Sequence, residues 1–149
     1  MAERLENRDK LEKLKIELEK LLDESKKLKA ESEAYTSVLD KPLETMEAKA
    51  LVQAVFSLAS MLAQQNKILI AAINQRGVEK IRDELRKRNE GLEGFIANLN
   101  KQHLDAGSVK LSGLLGLLDE ARRIAWMSYV VLDSLIEGTV ERAEEVLGV

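Results

Sequence analysis

Residues 11–28 read LEKLKIELEKLLDESKKL, and this stretch decides the fold. Leu11, Leu14, Leu18, Leu21 and Leu28 stand 3, 4, 3 and 7 apart, with Ser25 where a further leucine would fall. That spacing draws one apolar seam along a helix, at the a and d positions of a heptad, with mostly Lys and Glu around it. The register continues through Ser32, Tyr35 and Leu39, and runs back to Arg4 and Asn7, polar seam positions at which the first turns fray. A helix over 3–40 at 1.5 Å per residue is about 55–60 Å long. A compact domain of this size has a radius of gyration of about 15 Å. The helix therefore protrudes as a coiled-coil-like arm, or the whole molecule is elongated. Each leucine stabilises by about 1.5–3 kcal/mol when buried, so the seam requires a helical partner, in this chain or in another copy.

Downstream, Asp40-Lys41-Pro42 is the clearest break, because proline is tolerated in a first helical turn and not in an interior. It divides the chain into an arm, 1–41, and a helical bundle, 42–149. A second helix follows over about 43–75. Its stripe of Leu51, Val55, Leu58, Leu62, Leu69 and Ile73 is widened by Val52, Phe56, Ala59, Ala63 and Ile70. A helix apolar over most of its girth is central in a bundle or buried in an oligomer. Gly77 ends this helix, or the helix runs on. Val78, Ile81, Leu85, Leu92, Phe95 and Leu99 resume a heptad-like stripe to about Leu104, passing Gly91 and Gly94 as a soft spot in a single helix. Asp105-Ala106-Gly107-Ser108 reads as a loop. The last long helix runs to Glu137 on Leu111, Leu114, Leu118, Ala121, Ala125, Leu132 and Leu135. Gly138-Thr139 stops it and starts a short acidic helix, 140–147. The expected fold is all-α: an elongated antiparallel bundle of about four long helices with the N-terminal arm.

Composition agrees. The 149 residues are 45% apolar and 33% charged with a net charge of −3, which suits a packed core and gives no overall basic field. One proline and five aromatics argue against a sandwich or barrel. The absence of cysteine removes disulfides and thiolate chemistry. The N-terminus lacks the apolar run of a signal peptide, so a cytoplasmic protein is expected. Ala50 to Gln75 carries a single charge, Lys67, yet its centre reads Gln64-Gln65-Asn66-Lys67. A lysine at mid-bilayer alone costs about 3 kcal/mol, so no membrane span is expected.

Phosphate-loop, dinucleotide and nucleophile-elbow motifs are missing. A di-iron bundle needs two Glu-x-x-His motifs, and His103 is the only histidine, with Asn at 100. His103 beside Asp105 reads as structural. Glu44 and Glu47 match a helix dipole, and Glu141, Glu144 and Glu145 a solvated face, better than a hard-cation site. No catalytic, cofactor or metal residue is assigned, and an enzyme is not expected. The stretch Arg76, Lys80, Arg82, Arg86, Lys87 and Arg88 is locally basic and can touch phosphates. Asp83–Lys87 and Glu84–Arg88 pairs would neutralise it, however, and no aromatic interleaves to stack a base.

Trp126, Tyr129 and Val130 fall off the main stripe of the last helix, with Arg122 one turn before Trp126. Tryptophan and tyrosine are typical interface anchors. The expected function is that of a structural or interaction protein working by helix–helix association, a homo-oligomer or the partner of another helical protein. Its interface is expected at Leu11, Leu14, Leu18, Leu21, Leu28, Trp126, Tyr129 and Val130. Two alternatives remain open. One is a nucleic-acid-associated protein contacting its ligand through Arg76, Lys80, Arg82, Arg86 and Lys87. The other is a ligand-binding or enzymatic bundle with a polar interior at Gln53, Gln64, Gln65, Asn66 and Lys67.

Overall fold

The computed structural model describes residues 2–33, 46–74, 76–106 and 111–149, with the side chains at several helix ends left out. These residues form five helices and no strand: α1 (Ala2–Glu33), α2 (Met46–Ala72), α3 (Glu79–Ala106), α4 (Leu111–Glu137) and α5 (Val140–Leu147). The all-α bundle is as the periodicity predicts. The boundary between arm and bundle, with Tyr35, Leu39, Pro42 and Glu44, lies outside the described residues, as does the side chain of His103.

Charge content sets where each helix sits. α2 and α4, the two apolar helices, pack against each other across the middle of the bundle. α1 packs on both of them from one side, and α3 packs on both from the other. The cross-section is thus a diamond with α2 and α4 on its short diagonal. Helices on that diagonal have neighbours on three sides and need apolar residues around most of their girth. The corner helices α1 and α3 need only a stripe and carry the charge.

α1 runs antiparallel to α4: Lys15 meets Asp133, Glu19 meets Tyr129 and Lys29 meets Asp119, each step forward along one helix matched by an equal step back along the other. The leucine seam therefore finds its partner within the chain. Leu11, Leu14 and Leu18 are buried in the shared core, and Leu21 and Leu28 are partly buried against it. Ser25 and Ser32 share the seam and are fully buried. Each donates its hydroxyl to a carbonyl of its own helix, Leu22 O at 2.6 Å and Lys29 O at 2.8 Å. The hydroxyls are satisfied locally, so two polar residues sit in an apolar seam without a partner across it.

Gly77 ends the break after α2 at φ +88°, a conformation that suits glycine. α3 runs unbroken through Gly91 and Gly94 and continues through Asp105 and Ala106, where a loop was expected. Neither of those two residues forbids helix, and Gly107 follows them. At the start of α4, Gly113 and Gly116 face the side chains of Leu99 and Phe95 on α3. Gly138, at φ +77°, turns the chain back into α5. Buried Ala143 and Leu147 seat α5 against α3 and α4. Arg88 of α3 donates to Leu147 O at 3.0 Å, placing a cation at the negative end of α5.

Candidate partner-binding groove

Between α1 and α4 runs a cleft of about 650 Å³. Its α1 wall is Glu19, Leu22, Asp23 and Lys26, and its α4 wall is Asp119, Arg122, Arg123, Trp126 and Tyr129. Polar closures mark both ends. At one end the Tyr129 hydroxyl donates to Glu19 Oε1 at 3.0 Å, with Lys15 behind it. Lys15 Nζ sits 2.8 Å from Asp133 Oδ1 and 5.3 Å from the centre of the Tyr129 ring. At the other end Lys29 lies 3.8 Å from Asp119.

These contacts shift two titrations. The hydrogen bond that Lys15 donates to Asp133, reinforced by the carboxylate's charge, holds the ammonium above its ordinary range despite some burial. The hydrogen bond to Glu19 and partial burial hold the Tyr129 phenol above its own. Both groups are protonated at neutral pH, and the shifts move their titration further from it.

Between the closures the groove is open. Trp126 is 52% exposed, the largest apolar side chain on the described surface. Arg123 is held by Glu120 through two contacts of 2.7 and 2.9 Å. Arg122 makes no ion pair among the described residues, and its Nε is buried without a hydrogen-bond partner. It does not stack on Trp126; the cation–ring contact here is Lys15 over Tyr129. Lys26 and Asp23 also carry no partner among the described residues. The unengaged charges are two cations against one anion, beside an exposed indole.

The residues expected at an interface thus separate. Leu11, Leu14 and Leu18 lie inside the bundle, Leu21 and Leu28 at its edge, and Val130 is buried. Trp126 and Tyr129 come together on the groove. The α1 wall had no signal of its own, since Glu19, Asp23 and Lys26 look like any solvated helix face in sequence.

The basic stretch is dispersed over the turn before α3 and along α3. Arg76, Lys80 and Lys87 are exposed without an ion pair among the described residues. Asp83 lies 3.7 Å from Arg86 and 4.0 Å from Arg82. The Glu84–Arg88 pair forms at 3.1 Å as expected, whereas Asp83 takes Arg86 rather than Lys87. The proposed polar interior reduces to Asn66, which is buried; Gln65 is half-buried, and Gln53, Gln64 and Lys67 face solvent. Asn66 donates to Asn89 Oδ1 at 3.3 Å, and Asn89 donates to Ala63 O at 3.1 Å and Glu93 Oε1 at 3.2 Å. This small network ties α2 to α3. No described cluster of His, Cys, Asp or Glu is arranged to hold a metal, and no described helix is long and apolar enough to cross a membrane. No family model, curated protein or solved structure matches the chain.

Proposed function

We propose that this chain is an interaction protein whose α1/α4 groove receives one face of a partner helix. The observation that carries the reading is Trp126: a single tryptophan, more exposed than buried, on the wall of a groove large enough for several side chains. Exposed aromatic anchors beside unengaged charge are what a helix-in-groove interface needs before its partner arrives. The fitting partner presents an apolar residue to Trp126 and Leu22, and a carboxylate one helical turn away to Arg122 and Lys26. Such a carboxylate also gives a counter-charge to the Arg122 guanidinium, which has no ion pair among the described residues.

Selection from a displayed random helical-peptide library tests this. Bound sequences should pair an aliphatic or aromatic residue with Asp or Glu at a spacing of three or four. Their binding should change Trp126 emission, the chain's only indole fluorescence. Trp126→Ala and Arg122→Glu should each weaken binding at least about tenfold while leaving helical content unchanged. Selection without a shared pattern, or binding indifferent to both substitutions, would sink the proposal.

A further inference from the structure

The outward side of α2 carries a second heptad seam, and none of the described residues covers it. Ser57, Met61, Gln64, Ile68 and Ala71 stand 4, 3, 4 and 3 apart and are all exposed. The same spacing runs back to half-buried Ala54 and exposed Ala50. Met61 is 44% exposed and Ile68 39%. This is the a/d spacing of a helix that pairs with another helix. Small residues at both ends let two backbones approach closely, and larger ones fill the middle.

The charge pattern says what the other helix is. On α1 every described exposed residue from Arg8 to Glu33 is charged except Ile16 and Ala30. On α2 the described exposed residues from Ala50 to Ala71 include one charge, Lys67, and that ammonium lies 3.8 Å from Glu93 of the same chain. Charges flanking a heptad seam choose its partner by opposite sign. Among the described side chains, Lys67 is thus the one charge beside the seam, and with Glu93 next to it there is little to select an oppositely charged helix or to repel a second copy. Gln64, near its centre, carries both a donor and an acceptor and so can pair reciprocally with Gln64 of a second copy across a two-fold axis.

We infer that the outward face of α2 pairs with the same face of a second copy of this chain. The seam and its flanks supply about a dozen residues a side, below the roughly 20–30 of a standard interface. The dimer is therefore weak and concentration-dependent. It uses a surface distinct from the groove and leaves Trp126 free.

Light scattering behind a sizing column, over a dilution series of the full chain, is the test. The wild type should pass from monomer to dimer as concentration rises through the micromolar range. Met61→Glu with Ile68→Glu places like charges across the axis and should weaken association at least about a hundredfold. Both positions are exposed, so circular dichroism should report an unchanged helical content. Trp126→Ala should dimerise as the wild type does. A wild type that stays monomeric into the high micromolar range overturns the inference. So does a dimer untouched by the double substitution, or one lost in Trp126→Ala instead.

Discussion

α1 and α2 each carry a heptad seam, and the two have opposite fates. The α1 seam is rich in leucine, sits within a charged helix and is consumed by α2 and α4 of the same chain. The outward seam of α2 has Met61 and Ile68 as its large apolar residues, sits on a face with Lys67 as its one described charge and is not covered by the described residues. The stronger pattern in sequence thus marks intramolecular packing. The weaker one marks the surface available to another molecule. Burial free energy explains the order: five leucines near one another cannot wait for a bimolecular partner while a neighbouring helix is available at high effective concentration. A seam of alanine, serine, glutamine, methionine and isoleucine loses little by staying in water.

That contrast can be broken most forcefully at Leu18, which is 1% exposed. Leu18→Ala should destabilise the chain by about 2–5 kcal/mol in urea unfolding. A loss under about 1 kcal/mol, the cost expected of a loosely docked arm, would refute the intramolecular seam. The inner face of α2 is sharpened by Asn89→Ala, which removes the one described side-chain partner of the buried Asn66 and should cost about 1–3 kcal/mol. Asn66→Ala in the same background should recover part of that loss, because it removes the stranded amide. Strict additivity of the two costs would show that they are not coupled.

The clamp of α1 on α4 gives a smaller, pH-dependent effect. Lys15 and Tyr129 titrate above their ordinary values of 10.5 and 10.0, so the folded chain holds these protons more tightly than the unfolded chain. Their contribution is fully present below about pH 10 and fades as pH rises through the raised values. Lys15→Met keeps the apolar stem and should cost about 1 kcal/mol at neutral pH. It should also flatten the stability profile above pH 10; an unchanged profile would remove the lysine from the clamp. Smallest of all, Met61→Ala should change the stability of dilute protein by less than about 0.5 kcal/mol. A large loss there would mean that the α2 seam faces the core.

Much of this architecture was legible because period and composition agree. The 3.5- and 3.6-residue spacings of large apolar residues locate all five helices, and the over-wide stripes of α2 and α4 anticipate their place on the short diagonal. What sequence hid was relational. Leu11, Leu14 and Leu18 look the same whether they face this chain or a second one, and only the matched steps of Lys15–Asp133 and Glu19–Tyr129 decide it. The α1 wall of the groove was equally silent, since Asp23 and Lys26 differ in no local way from Glu24 and Lys27. The neutralisation of the basic run at 76–88 was legible, with Glu84 pairing Arg88 as expected; only the choice of Arg86 over Lys87 by Asp83 was not.

Amide hydrogen exchange on the dilute, monomeric protein reaches the central question most directly. The amides of Leu11 to Leu28 should be protected to about the same degree as those of Leu114 to Leu132, because the two helices share one core. Exchange in 11–28 at the rate of an unstructured chain, with 114–132 still protected, would show that the leucine seam closes only against another molecule.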